Sequence, residues 1–418
     1  MAELQKTLTA WRGAALFINI VLGAGLLVLP GLTVQKIGDL SLISWLICAV
    51  LATPLFIIFI ILGCRYPGPG GLATYVQQAY GRFAYVMASL LFLGAVVLGL
   101  PAIALTGGYY ASATFGGSPH LYALVIMGAV LLLNLQSVEA AGKLNQLLSW
   151  VLVAFLTGLA LLSLVLVSGE PVAHPIAVPT TVAEFRAIWL AVPMIFFAFT
   201  GWEVGASTTG EFKDPKKDLP LAMWISFFVA VALYLVMAYV AQRANLEGGY
   251  AAPFATIINN HLGTYGSVIV GIIAITLIFA NLSAAGWGVS RMVYSLAHEG
   301  IAPTYLLKLT KGQPYHALIT IVLTFSGVII FDWIGLFGID NLLKLAGQNF
   351  LILYGFSALA LFKLAQMTAE KLISCLGIAV CLVIVLLQGP SIIYPLLIGA
   401  ISVLVFYIKG GTESIPTE

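Results

Sequence analysis

Glu203 is the one acidic residue set well inside an apolar stretch, in Phe196-Phe197-Ala198-Phe199-Thr200-Gly201-Trp202-Glu203-Val204-Gly205. An ionisable group at membrane depth is costly and usually functional, although many such groups serve as glue between helices. The same stretch carries Gly201. A second apolar stretch, Asn19-Ile20-Val21-Leu22-Gly23-Ala24-Gly25-Leu26-Leu27-Val28-Leu29-Pro30, carries Gly23 and Gly25. Glycine lowers the cost of leaving helical geometry, and a helix broken inside a bilayer exposes N–H and C=O groups that need a ligand or water. N–H groups at a helix start take an anion, and freed carbonyls take a cation. A zwitterionic α-amino acid offers both charges. A glycine pair in an apolar helix also has a plainer use as a close-packing face. The recurrence of a break five spans later favours the binding use, because it fits a five-plus-five inverted repeat. Glu203 is then the candidate for proton coupling or gating.

Other patterns do not reach catalytic chemistry. The segment Arg65-Tyr66-Pro67-Gly68-Pro69-Gly70-Gly71-Leu72-Ala73-Thr74-Tyr75 is glycine-rich like a phosphate loop, but it lacks a preceding strand and the Gly-Lys-Ser/Thr ending. The segment from Gly210 to Pro220 reads as a solvated turn with a proline at the next helix start. Cys48, Cys64, Cys375 and Cys381 fall in or beside apolar runs without metal-ligand or secreted-disulfide spacing, and read as small packing residues. His120, His174, His261, His298 and His316 sit in loops or at span ends. With no His/Asp/Glu cluster or Ser-His pair in the apolar runs, an intramembrane enzyme, a metal centre or a cofactor is not expected.

The elements that must hold these residues follow from composition. The chain is 61% hydrophobic and only 8% charged, against roughly 45–50% and about 25% in soluble domains. A net charge of +2 offers no basic face for nucleic acid. About twelve apolar runs of membrane-spanning length can be marked, at 12–34, 41–63, 83–113, 119–135, 146–168, 187–210, 220–243, 265–290, 316–334, 341–363, 371–388 and 391–408. No cleavable signal peptide is evident, because the first run continues past Pro30. Residues 244–264 read as a loop with a short amphipathic helix. Of the 18 Lys and Arg, only Lys36, Arg186, Arg243 and Lys344 fall on one side of this arrangement. The positive-inside rule therefore places both termini in the cytoplasm. An all-α integral membrane protein with the lipid bilayer as its solvent is expected, in an inner or plasma membrane.

Several motifs together resemble the amino acid-polyamine-organocation (APC) transporter superfamily. They are Gly23-Ala24-Gly25, the Tyr66 to Tyr75 loop, Phe199 to Glu203, the Glu211 to Pro220 turn, and Ser290 to Pro303. Gly99 to Ala102 and the wording from Arg65 to Gly81 are similar to the L-methionine/branched-chain amino acid exporter branch. The resemblance implies a LeuT-like fold, with a 5+5 inverted repeat over 12–168 and 187–363, two added spans over 371–408, and broken helices 1 and 6. It implies a central substrate site at Val21, Gly23, Ala24, Gly25, Phe197, Thr200 and Gly201. There the amides of Ala24 and Gly25 would hold the carboxylate, and the carbonyls of Val21, Phe197 and Thr200 the amine. Ala24 stands where many members have Ser, which removes a hydroxyl but keeps the backbone N–H. Phe197, Phe199 and Trp202 would supply aromatic walls and a gate. Some proton-coupled relatives carry a lysine early in span five, where this chain has Ser149-Trp150-Val151-Leu152. A sodium site would draw on Asn281 and Ser283. The expected activity is secondary active transport of neutral amino acids such as Met, Leu, Ile and Val. The expected mode is an exporter or antiporter working by alternating access, with protons coupled through Glu203. An exchanger or importer of other neutral amino acids or amines, and an accessory or sensor subunit without transport of its own, are the alternatives.

Overall fold

A bilayer leaves no water for an exposed N–H or C=O, so a chain this apolar closes its backbone hydrogen bonds within helices. The structure, a computed structural model, describes residues 8–22, 25–67, 71–136, 138–206, 208–309, 314–388 and 392–408. Gly23 and Ala24, expected in the substrate site, lie outside the described residues. The helices are α1 (Ala10–Val21), α2 (Gly25–Ile37), α3 (Ser41–Arg65), α4 (Gly71–Tyr80), α5 (Arg82–Phe115), α6 (Pro119–Gln136), α7 (Val138–Val167) and α8 (Val182–Phe196). They continue as α9 (Trp202–Ala206), α10 (Asp218–Arg243), α11 (Pro253–His298), α12 (Tyr315–Trp333), α13 (Ile339–Leu364), α14 (Thr368–Leu386) and α15 (Ile393–Ile408).

Among the described residues, 8 stretches are long and apolar enough to cross a membrane, and one of them, Gly25–Arg65, contains both α2 and α3. Pro119–Leu135, Val151–Val167 and Ile393–Ile408 are shorter apolar helices. Among the described residues, each apolar run read from the sequence lies mainly on helix, and the chain is an all-α membrane protein. Two runs are not single helices. The first divides into α1 and α2, and the sixth into α8 and α9. The expected outer helix in 244–264 begins at Pro253 and runs on into the eighth span, bent at Gly263, whose φ is 69°.

Helix α5 packs against α13, α11 and α6, while α10 packs against α1 and α3. Trp45, Tyr75, Tyr110, Tyr234 and Tyr354 are fully buried between these helices. A capping box starts α8: Thr181 accepts the Glu184 N–H at 3.2 Å, and the Glu184 carboxylate accepts the Thr181 N–H at 2.9 Å.

Several ionisable groups at helix ends among the described residues are paired across helices, which lowers the cost of those that are buried. Arg65 donates to Glu370 at 2.6 Å and to the Leu364 carbonyl at 2.8 Å, fastening α3 to the α13–α14 junction. Near the opposite ends of the helices, His120 lies 2.8 Å from Asp332 and Lys36 lies 3.0 Å from Asp340. An isolated parallel bridge joins Leu8 to Phe212, with the Leu8 N–H donating to Glu211 at 3.0 Å and the Lys213 N–H donating to Leu8 at 2.9 Å. It ties the start of α1 to the segment after α9. Of the four cysteines, Cys48 and Cys381 are buried, whereas Cys375 faces outward from α14.

Candidate functional site

The backbone leaves helical geometry at two places that face each other. Leu22 closes α1 with φ −75° and ψ 64°, and helix resumes at Gly25. The first N–H groups of α2 have no partner within their own helix. At the second place, α8 tightens into a 3-10 turn over Phe197–Phe199. Thr200 is extended at φ −91°, ψ 168°, and Gly201 follows at φ 117° before α9 begins. That φ favours glycine, and a Cβ there would also meet methyl groups of Ile20 and Val21 at 3.3 Å. The two breaks are thus in van der Waals contact.

One tyrosine joins them. The Tyr234 hydroxyl on α10 lies 3.0 Å from the carbonyl of Val21, the last residue of α1, and 2.5 Å from that of Ala198, in the middle of the 3-10 turn. Thr200 folds back on its own turn, its hydroxyl donating to the Phe197 carbonyl at 2.7 Å and its N–H at 3.3 Å. Glu203, 7% exposed, reaches back over the second break. Its carboxylate oxygens accept the Gly201 N–H at 3.1 and 2.9 Å, and one of them accepts the Tyr354 hydroxyl from α13 at 2.5 Å. Both oxygens therefore face donors, and Glu203 links α13 to the loosened backbone of the sixth span.

The breaks open on a cavity of about 640 Å³, within the usual range of roughly 300–1,000 Å³ for small-molecule sites. Ile20, Val21, Gly25 and Leu26 line it from the first break, and Phe197, Ala198, Thr200, Gly201 and Glu203 from the second. Helix α5 contributes Phe92, Val96, Gly99 and Ile103, spaced three or four residues apart as one helical face must be. Leu277, Asn281, Ala284 and Gly288 follow the same spacing on α11, and α13 adds Phe350 and Leu353. Among the described lining residues, Glu203 is the sole carboxylate, and none is Lys, Arg or His.

The cavity extends toward Leu72 and Ala73 of α4, Tyr85 and Ser295. At the other end it is shut. Helix α2 is buried from Gly25 to Val34, and Tyr110 donates to the Leu27 carbonyl at 2.9 Å. At Gly31 the backbones touch so closely that a Cβ would lie 2.1 Å from the Tyr250 carbonyl.

Of the residues expected from the sequence, Val21, Gly25, Phe197, Thr200, Gly201, Glu203 and Asn281 are brought to this one cavity. Phe199 and Trp202 are not. Phe199 packs against Trp45 and Tyr234 with ring centroids 6.3 and 5.0 Å apart, and Trp202 packs against Phe56 at 4.8 Å and Phe17 at 6.5 Å. In a 3-10 turn residues three apart eclipse one another, so Phe197 and Thr200 share the cavity side and Phe199 points away. The aromatic wall is instead made by Phe92, Phe197, Tyr234 and Phe350. Asn281 and Ser283 diverge. The Ser283 hydroxyl donates to the Phe279 carbonyl within its own helix at 2.8 Å, and its carbonyl accepts from Asn134 at 3.2 Å. Tyr234 and Tyr354, which tie the breaks to α10 and α13, were not singled out from the sequence. A tyrosine inside an apolar run, whose hydroxyl must find a buried partner, was the signal available.

The model of the amino acid permease family matches residues 8–408. The chain is 31% identical over 429 residues to YecA, an uncharacterized amino acid permease of Bacillus subtilis (strain 168), with 98% of each chain covered. It is 25% identical over 408 residues to YjeH, an L-methionine/branched-chain amino acid exporter of Escherichia coli (strain K12), with 95% of each covered. It is also 26% identical over 314 residues to PotE, a putrescine transporter of Haemophilus influenzae, covering 72% of this chain and 71% of PotE.

Proposed function

Since the chain belongs to the amino acid permease family, we propose that it is a secondary transporter of small neutral amino acids that exports L-methionine and branched-chain amino acids across the plasma membrane by proton-linked alternating access. The observation that carries this reading is the meeting of two helix breaks on one cavity whose described lining is mostly apolar and bears no charged side chain apart from Glu203. That YjeH is an L-methionine/branched-chain amino acid exporter supports the substrate class and the direction.

In this reading the substrate carboxylate rests on the amides of Ala24 and Gly25 beside Gly23, at the positive end of α2. The ammonium lies against the carbonyls of Val21, Phe197 and Thr200, close to Gly201. The Val21 carbonyl already has a donor in the Tyr234 hydroxyl, but a carbonyl oxygen has two lone pairs and can take a second. The Phe197 carbonyl already accepts both the Thr200 hydroxyl and the Thr200 N–H, so the Thr200 hydroxyl must turn aside for the ammonium to take its place. The side chain projects toward Phe197, Ile103 and Phe350. Residues 12–168 and 187–363 act as the two inverted halves, and 371–408 as accessory spans.

The assay is flux and binding by the purified chain in liposomes, with a panel of radiolabelled amino acids and imposed pH or sodium gradients. Leucine, methionine, isoleucine and valine should compete for one site, with arginine and glutamate weaker by about tenfold or more, because the described lining has no cation for a second carboxylate and its one carboxylate, Glu203, is already held by Gly201 and Tyr354. Equal competition by arginine or glutamate would contradict the neutral-substrate reading, and absence of any flux would favour an accessory subunit.

Orientation is read from the Lys/Arg asymmetry and carries its own prediction. Lys216 and Glu247 are both exposed, on loops assigned to opposite sides. In a cysteine-free background, Lys216→Cys should resist a membrane-impermeant thiol reagent in intact cells and Glu247→Cys should label. The reverse pattern would invert the topology.

A further inference from the structure

Phe197 is wedged between two glycines on different spans. Its Cδ1–Cε1 edge faces Gly25, where an added Cβ would lie 3.5 and 3.7 Å from those atoms, an ordinary contact. Its Cε2–Cζ edge faces Gly99 on α5, where an added Cβ would lie 2.7 Å from Cε2, closer than Cβ atoms come, and 3.1 Å from Cζ, a tight contact. Phe350 stands beside the ring at a centroid distance of 6.2 Å, and Ala346 lies 3.5 Å from the same hypothetical Cβ. The ring fits where it is because Gly99 has no side chain. With Gly25 at one edge, Gly99 at the other and Phe350 beside the ring, the cavity that Phe197 lines is the side left for the ring to move into.

We infer that Gly99 is a specificity-determining residue: by receiving the edge of the Phe197 ring it keeps that ring out of the cavity and sets the largest substrate side chain the site admits. The inference rests on the proposed binding of neutral amino acids at this cavity and adds what limits their size. A methyl group at position 99 displaces the ring rather than the backbone, because the nearest atoms are the far end of a side chain. Alanine is also the most favourable helix residue, so α5 keeps its conformation. The substrate backbone site at the two helix breaks is untouched, and only the room for the side chain shrinks.

The test is competition binding on the purified full chain with glycine, alanine, leucine, methionine and phenylalanine, comparing wild type, Gly99→Ala, Phe197→Leu and the double variant. Gly99→Ala should weaken leucine and methionine by about tenfold or more, the scale of a misfit of one methyl group in an apolar pocket. Alanine should change by less than about threefold, since it does not reach the displaced ring. The double variant should recover most of the lost leucine affinity, and Phe197→Leu alone should raise phenylalanine relative to leucine. Equal weakening of alanine and leucine by Gly99→Ala, no change in either, or a double variant that keeps the single variant's profile would each overturn the inference while leaving the transport reading in place. If Gly99→Ala does not fold, the Phe197→Leu profile decides alone, and an unchanged ratio of phenylalanine to leucine overturns the inference. A wild type that binds none of the panel overturns the functional reading and this inference with it.

Discussion

Gly25→Val is expected to abolish substrate binding, with affinity falling by at least about a hundredfold, or roughly 2.8 kcal/mol, in a protein that still inserts and folds. Gly25 opens α2 in ordinary helical geometry, so glycine is not needed there for its backbone freedom. What it provides is room. A single Cβ would sit 3.3 Å from Leu29 and 3.5 Å from the Phe197 ring, a contact those side chains can absorb by shifting a few tenths of an ångström. Gly25→Ala should therefore weaken binding only several-fold. Valine adds two methyl groups over the first-turn amides, where the carboxylate must come within hydrogen-bonding distance, and it has little χ1 freedom to turn them aside. Equilibrium binding of leucine or methionine to the purified variants, with the thermal unfolding midpoint as a control, reads both effects. Near-normal affinity in Gly25→Val with an unchanged midpoint would return Gly25 to the role of a packing residue.

Glu203→Gln is expected to flatten the pH dependence of transport between roughly pH 5 and 8, while substrate affinity stays within about threefold. As a carboxylate, Glu203 is an acceptor only, and its oxygens meet the Gly201 N–H and the Tyr354 hydroxyl. Taking up a proton turns one of those acceptors into a donor. The new O–H then opposes Tyr354 or forces its hydroxyl to rotate, and the link between α13 and the sixth-span break is loosened. A charge at this depth is also costly unless its hydrogen bonds are complete, so protonation and movement of the surrounding helices are coupled. Glutamine keeps the shape and an acceptor oxygen but cannot change its charge. Tyr354→Phe removes the same link without removing the titrating group, and should lower flux while retaining a pH response. The measurement is flux in liposomes as a function of pH alongside equilibrium binding. If Glu203→Gln keeps the wild-type profile, Glu203 serves to hold α13 against α9, and proton linkage must be sought elsewhere.

The helical spans, the two breaks and the single membrane-depth carboxylate could all be read along the chain, because each is a local property. Apolar runs must become helices in a bilayer, glycines mark where those helices can fail, and an acidic residue among phenylalanines is conspicuous whatever surrounds it. Direction within the turn was not legible. Phe199 and Trp202 looked as suitable for the cavity wall as Phe197, and only the 3-10 winding over Phe197–Phe199, followed by the positive φ of Gly201, turns the first two into the packing of α1, α3 and α10. Nor could the sequence reveal which distant residues complete the site. Tyr234 lies 213 residues from Val21, whose carbonyl it meets, and Tyr354 lies 151 from Glu203. Gly99 is one glycine among 42 until α5 sets it against the Phe197 ring. Such contacts depend on how whole helices cross and rotate against one another, which is settled by the summed packing of many side chains and not by the residues that end up facing the cavity.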